Sequence, residues 1–277
     1  MTRMTWFITG VSGGLGRAIA QAALTRGDAV VGTVRKAADG AAFEALGERA
    51  SASLLDVTDT AALQVAVANA ESRLGRIDVA VNNAGYGLVG AVEEASLAEA
   101  RAQFETNVFA PLAVMKAVLP GMRARRAGRI INIASVSGLA TWAGTGLYCA
   151  SKWALVALSQ TLADEVAELG IKVISVEPGG LRTSFHGGSK VVVAEKFADY
   201  DGLARDAERL MGDHGGHEPG DPAKAAQAVL KAADAPDPPR HLLLGADALK
   251  YATAHRDALW ADIEAWKADA LAIGLDA

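Results

Sequence analysis

The sequence predicts an α/β fold: one doubly wound domain with a parallel sheet of about seven strands and helices on both faces. Three observations carry that expectation. Short apolar runs alternate with longer stretches of helical periodicity from Thr5 to Pro178, the order that builds a parallel sheet through crossover helices. No Pro-, Gly- or Ser-rich linker interrupts the alternation, so a single domain over residues 1–277 is expected. And 51% of the 277 residues are hydrophobic, enough to bury a sheet from both sides.

Thr5–Thr9 is a short, mostly apolar run that reads as the first strand. It enters a turn of Gly10, Ser12, Gly13, Gly14, Leu15 and Gly16, then a helix pattern over Gly14–Arg26 stopped by Gly27. Strand, Gly-rich turn and helix in that order make the phosphate cradle of a Rossmann-type fold. Glycine lets the backbone approach a pyrophosphate, and the helix N-terminus offers open N–H groups. The spacing is G-x-x-x-G-x-G, not the commoner G-x-G-x-x-G. The second strand, Ala29–Arg35, ends on Arg35 and Lys36 where an acid would grip a ribose 2′-hydroxyl. A cation there suits a 2′-phosphate, so NADP(H) is favoured as cofactor, with NAD(H) possible.

Further along, helices are expected at Ala41–Gly47 and Thr60–Leu74, the latter opened by Asp59 and closed by Gly75, with a strand at Ala52–Leu55 between them. A fourth strand, Val79–Asn82, precedes a long helix at Leu97–Met122. Strand Arg129–Ala134 leads into Ser135, helix Leu147–Leu169 carries Tyr148 and Lys152, and Gly170 ends it. Strand Lys172–Glu177, helix Pro222–Ala233 with Pro at its first position, strand His241–Leu244 and helix Leu249–Ala272 complete the pattern.

Tyr148 and Lys152 stand four residues apart, one turn from each other on one helix face. A phenol titrates near 10, and a neighbouring cation favours phenolate. With Ser135 at the end of the preceding strand, the three can give and take a proton at a carbonyl or alcohol oxygen.

These pieces together resemble the short-chain dehydrogenase/reductase family, over nearly the whole chain and most securely from Thr5 to about Thr183. Thr9 to Gly16 is similar to its T-G-x-x-x-G-x-G turn, and Asn82-Asn83-Ala84-Gly85 to its N-N-A-G loop. Ser135, Tyr148 and Lys152 stand at its usual catalytic spacing, and Asn107 matches its structural and proton-relay Asn. The resemblance implies reversible hydride transfer at a carbonyl, with Tyr148 as proton donor and acceptor. Lys152 would lower the phenol's pKa and bond the nicotinamide ribose, Ser135 would hold the substrate oxygen, and Asn107 would position a water chain. It further implies that Asp56, with Val57, contacts the adenine, and that Asn83, Ala84 and Gly85 line the cofactor floor. Pro178, Gly179, Leu181 and Thr183 fall in the P-G-x-x-x-T segment that holds the nicotinamide carboxamide. The Thr33-Val34-Arg35 segment and the long C-terminal region resemble members grouped with 17β-hydroxysteroid dehydrogenases. A non-catalytic NADP(H)-binding sensor on the same fold is the alternative. Such relatives typically lose the Tyr or the Lys, and both are present here.

The substrate pocket is expected to draw on Ser135, Val136, Leu139, Trp142, Leu147, Tyr148 and Phe185. That lining is mostly apolar, so a hydrophobic ketone, aldehyde or secondary alcohol is favoured. A lid is expected near residues 184–217, between His186-Gly187-Gly188-Ser189 and His214-Gly215-Gly216-His217. The two histidines find no convincing third ligand, so no metal is expected. Net charge is −5 without a basic block, which argues against nucleic acid; the Arg125, Arg126 and Arg129 cluster reads as a helix terminus. The single cysteine, Cys149, fits a reducing compartment. The first strand begins almost at once and no 18-residue apolar stretch occurs, so a cytoplasmic protein that does not engage membranes is expected. The helices near 97–122 and 147–169 are apolar over more than one face, which, as in relatives, points to a homodimer or homotetramer. Leu259, Ile263, Trp266, Ala270 and Ile273 form a C-terminal stripe in the 246–277 extension, expected to pack on the body or a subunit.

Overall fold

The computed structural model of the chain describes residues 3–183, 189–202, 205, 206, 209 and 217–274. Seven parallel strands form one sheet, in the order β3 (Ala50–Leu54), β2 (Ala29–Val34), β1 (Thr5–Ile8), β4 (Val79–Asn82), β6 (Gly128–Ile133), β7 (Ile171–Pro178) and β9 (His241–Leu244). The chain steps outward from β1 to β3, then returns to lay β4 on the other side of β1. That reversal opens a crevice at the C-terminal ends of β1 and β4, where ligands bind in sheets of this kind.

The period of two in β1 divides the core. Trp6 and Ile8 point to one face with Val30, Val79 and Ile131, where they meet Ile19 and Ala23 of α1 (Gly14–Thr25), Phe43 of α2 (Ala37–Glu44) and Val229 of α7 (Pro222–Asp234). Phe7 points to the other, with Val31, Ala80 and Ile130, under Leu63 and Val67 of α3 (Thr60–Leu74) and Val114, Met115 and Val118 of α5 (Ala110–Arg125). α6 (Gly146–Glu165) covers the same face. Each of the larger aliphatic and Phe side chains among them contributes about 1.5–3 kcal/mol by leaving water.

Four differences from the sequence pattern have physical causes. The long helix over 97–122 is interrupted: α4 (Leu97–Phe104) gives way to a π-helical turn at Glu105–Phe109 before α5 begins. Pro111 has no N–H to offer the Asn107 carbonyl four residues earlier, so an unbroken α-helical ladder cannot pass that point. The second helix begins at Ala37, earlier than expected, because Lys36, two residues past the end of β2 and still extended, serves as its N-cap. A two-stranded parallel ribbon, β5 (Gly87–Val89) with β8 (Lys190–Val192), was too short to signal itself in the sequence. And the C-terminal helix α8 (Ala246–Ala265) starts earlier, with α9 (Lys267–Leu271) set off from it at Trp266. Its expected packing stripe is bare: Leu259, Ile263, Trp266 and Ile273 are exposed in the single chain. The helix extends past the edge of the domain, so none of the described residues covers the apolar ridge. Among the described residues, no helix is long and apolar enough to cross a membrane.

Candidate active site

A cavity of about 1030 Å3 runs along the C-terminal ends of β1, β2, β4, β6 and β7. Its first end is built by the Gly-rich turn. Gly10 sits at φ +74, and a Cβ on it would lie 3.1 Å from the Ala84 Cα, so the turn and the Asn83-Ala84-Gly85 loop touch backbone to backbone. Thr9 and Asn83 staple them. The Thr9 hydroxyl accepts the N–H groups of Asn83 (2.9 Å) and Ala84 (3.1 Å), while Asn83 Nδ2 donates to the carbonyls of Thr9 and Gly10. α1 is preceded by Gly13, which offers no side-chain cap, and has no acid in its first turn, which leaves its N–H groups open for an anion. The residues present therefore fit a dinucleotide: a glycine cradle, an uncapped helix and an elongated cavity. Among the expected cofactor-binding residues, all but Gly16 line that cavity. Gly16 lies behind it, where a Cβ would collide with Asn83 Nδ2 at 2.2 Å.

At the end of β2, Arg35 lines the cavity, and so does Asp39 in the first turn of α2. Asp56 carries its carboxyl below the usual range, first through the Thr58 N–H and hydroxyl, with Arg35 adding a smaller push in the same direction. Sequence reading missed Asp39, since nothing in its local pattern separates it from a solvated first-turn acid.

The other end gathers Ser135, Tyr148 and Lys152. β6 delivers Ser135, and α6 presents Tyr148 and Lys152 on its buried face. A polar bridge under α6 holds its rotational setting: Asn82 Nδ2 donates to Asn132 Oδ1 at 2.7 Å, and Asn132 Nδ2 to the Ser159 hydroxyl at 2.8 Å. Lys152 Nζ donates to the Ile133 carbonyl at 2.9 Å and lies 5.9 Å from the centre of the Tyr148 ring. Burial pushes the Tyr148 phenol up to about 12, against a hydrogen bond from Ser135 that favours phenolate. Burial also brings the Lys152 ammonium down to about 8. In the chain by itself burial is the largest influence on both groups, and the net shift of the phenol is upward. Asn107 is buried beside them, outside the cavity wall. Its Nδ2 donates to the Tyr86 carbonyl (3.0 Å) and the Ser151 hydroxyl (3.1 Å), and its Oδ1 accepts the Tyr86 N–H (3.2 Å).

Of the expected pocket residues, Ser135, Val136 and Tyr148 line the cavity. Leu139, Trp142 and Leu147 do not: Leu139 packs on Ala134, Leu155 and Val156, and Trp142 meets Tyr251 of α8 edge-on at 5.5 Å. Phe185 and His214 lie outside the described residues, as does much of the expected lid. The cavity wall is completed instead by Tyr86, Glu105, Thr106, Ser137, Ser189, Lys190 and Val191. Tyr86 and Lys190 come together through the β5–β8 ribbon, in which Gly87 pairs with Lys190, a contact that no sequence motif announces. Part of the stretch over residues 189–209 is tied down by carboxylates ahead of and within α4. Glu94 pairs with Arg205 and accepts the Phe197 N–H (2.8 Å), and Glu99 accepts the Ala194 N–H (3.1 Å). Arg205 first, and the backbone N–H groups after it, hold Glu94 down to about 2. Among the described residues, no cluster of His, Cys, Asp or Glu could hold a metal ion.

Comparison with known proteins follows the same outline. A family model described as short chain dehydrogenase matches residues 5–190. The chain is 40% identical over 276 residues to oxidoreductase BOA17 of Botryotinia fuckeliana, covering 98% of this chain and 99% of that one. A crystal structure of a short-chain dehydrogenase from Streptomyces avermitilis superposes with a TM-score of 0.93 at 42% identity, over 99% of each chain. The structure of ElxO with NADP bound superposes with a TM-score of 0.75 at 26% identity, over 90% of this chain and all of that one.

Proposed function

The chain belongs to the short-chain dehydrogenase/reductase family of oxidoreductases, and on that premise we propose that it interconverts a hydrophobic ketone or aldehyde and its alcohol with NADP(H). The observation that carries this reading is one continuous cavity, with the open N–H groups of α1 at one end and Ser135, Tyr148 and Lys152 at the other. The nicotinamide, when bound, supplies or accepts the hydride.

The chain's own residues manage orientation and the proton. Gly10, Gly14 and the start of α1 hold the pyrophosphate; Arg35 and Lys36 favour a 2′-phosphate; Pro178 to Thr183 hold the nicotinamide end. ElxO's NADP supports the cofactor reading by analogy, while Asp39 beside Arg35 moderates it. Tyr148 gives its proton to the carbonyl oxygen in reduction and takes it back in oxidation. Ser135 holds that oxygen and shares its developing charge. Lys152, protonated, counters the charge on the phenolate. Asn107 holds Tyr86 and the start of the ribbon that forms the cavity's far wall. Tyr86, Val136 and Val191 give the wall apolar surface for a hydrophobic carbonyl compound, and Glu105, Thr106, Ser137, Ser189 and Lys190 make the rest of it polar or charged. Leu97 on α4, Phe109 at the end of the π-helical turn before α5, and Trp153 on α6 are exposed, which supports a homodimer or homotetramer through these helices.

The test is oxidation of NADPH and of NADH against a panel of hydrophobic ketones and aldehydes, with Tyr148→Phe and Arg35→Ala alongside. Turnover is expected with NADPH, lost by at least a hundredfold in Tyr148→Phe. Arg35→Ala should cut kcat/KM for NADPH about tenfold or more and leave NADH nearly unchanged. Cofactor binding with no turnover on any carbonyl would favour a sensor. A preference for NADH would sink the NADP(H) assignment alone.

A further inference from the structure

α8 touches three segments at one end of the site, the stretch from Pro178 to Thr183, the loop between Ser135 and Tyr148, and α6, and it does so along one ridge. Asp247, Tyr251 and His255 follow one another at intervals of four residues and so share a face of the helix. The Asp247 carboxylate accepts the Gly180 N–H at 2.7 Å, within the segment from Pro178 to Thr183. Tyr251 meets Trp142, on the loop between Ser135 and Tyr148, at 5.5 Å with the rings perpendicular. His255 meets Trp153, which adjoins Lys152 on α6, at 5.7 Å.

The closest of these contacts is built around glycine. A Cβ on Gly179 would stand 2.3 Å from both Asp247 oxygens, and one on Gly245 would stand 2.4 Å from Oδ1. Gly245 also has φ +113, a conformation other residues rarely adopt. The Gly179 N–H donates to the Leu244 carbonyl at 2.9 Å, and on the opposite edge the Gly220 N–H donates to the Gly180 carbonyl at 2.9 Å. The segment thus hangs between β9 with Asp247 on one side and Gly220 on the other. Hydrophobic burial does not explain the seating of α8, since Ala248 is the one residue of that helix that is fully buried.

We propose that α8 is a strap that sets the position of the Gly179–Thr183 segment, with Asp247 as the positioning residue. This rests on the dinucleotide reading of the cavity. The carboxylate holds the Gly180 amide, and through it the backbone that faces the nicotinamide end of the cofactor. Tyr251 and His255 tie the same helix to the loop and helix that bear Ser135, Tyr148 and Lys152. Displacement of the strap therefore shifts the nicotinamide end relative to the proton donor and leaves the adenosine end where it is.

Full-length protein carrying Asp247→Ala or Asp247→Asn tests this in two ways. In ligand-free protein, amide hydrogen exchange in the peptide covering Gly180–Thr183 should rise in Asp247→Ala and stay near wild type in Asp247→Asn, whose side-chain oxygen still accepts the Gly180 N–H. In binding, Asp247→Ala should weaken NADPH about tenfold or more while the affinity for 2′,5′-ADP, which lacks the nicotinamide, stays within twofold. Asp247→Asn should recover most of the loss. Unchanged exchange at Gly180–Thr183, or equal loss for both ligands, would overturn the strap. Wild-type protein that binds neither ligand would overturn the dinucleotide reading and the nicotinamide half of this proposal with it, while the exchange result would still decide the contact itself.

Discussion

Lys152 sits where its charge is most useful to a phenolate and most costly to the fold. Its folded pKa, down at about 8, lies below the ordinary 10.5. Between those values the unfolded chain binds the extra proton, so this group makes stability rise with pH across the window. Below about pH 8 the penalty is complete. Lys152→Met should therefore stabilise the cofactor-free protein at pH 7 by up to about 3 kcal/mol, less whatever the Ile133 carbonyl loses with its donor. The gain should shrink between pH 8 and 10.5. Urea titrations of both proteins at pH 7 and pH 10 check it, and a gain that does not change with pH would assign the effect to packing. At this scale the sequence was informative wherever chemistry demands a residue type at a set spacing. Tyr148, Lys152, Ser135 and the turn from Gly10 to Gly16 were legible for that reason. Asp39, Glu105 and Lys190 were not, because each reaches the cavity through tertiary placement and belongs to no local pattern.

Among the elements, the π-turn at Glu105–Phe109 is the one whose irregularity has consequences for the site. It sets Asn107 facing inward, where one side chain bridges both backbone groups of Tyr86 and the Ser151 hydroxyl of α6. Asn107→Ala would leave the Tyr86 N–H without its partner and take one of two hydrogen bonds from the Tyr86 carbonyl, which keeps Gln103 Nε2, and from the Ser151 hydroxyl, which keeps the Tyr148 carbonyl, at a cost of about 1–3 kcal/mol. Denaturant unfolding should show that loss even in cofactor-free protein. A change under about 0.5 kcal/mol would mean that water replaces the side chain. The seven sheet strands and most of the helices were legible to within a few residues, because both periods are strong in a sheet buried on two sides. The interruption at Pro111 was written in the sequence too, though apolar residues at helical spacing continue through it and mask it. The ribbon of β5 and β8 was hidden more deeply. Three residues cannot show a period, and its partner lies about a hundred positions away in the chain.

For the molecule as a whole, the doubly wound order followed from alternation alone, but the placement of the last helices did not. Periodicity identified an apolar ridge at Leu259, Ile263 and Trp266 and could not tell that the domain ends beneath it. The part of α8 that does contact the body uses Asp247, Tyr251 and His255, a mixture that no hydrophobic stripe announces. The overhang and the exposed Leu97, Phe109 and Trp153 leave two apolar surfaces on the single chain. Sedimentation at micromolar concentration should give a mass at least twice the 28.5 kDa of one chain. A strictly monomeric species would remove oligomerisation as the explanation for those surfaces.

The overhang also gives the protein an optical signature. Its five tryptophans fall into separate environments. Trp6 is sealed in the core with its indole N–H on Asp28 at 2.8 Å, Trp142 and Trp153 are half-covered against Tyr251 and His255, and Trp260 and Trp266 stand in solvent. The indoles in water emit at long wavelength and are open to collisional quenchers such as iodide, while Trp6 is dark to them. Dilution, which separates copies, should therefore shift emission to the red and raise the iodide-quenchable fraction if the overhang is what a second copy covers. Trp260→Phe and Trp266→Phe together should abolish that shift.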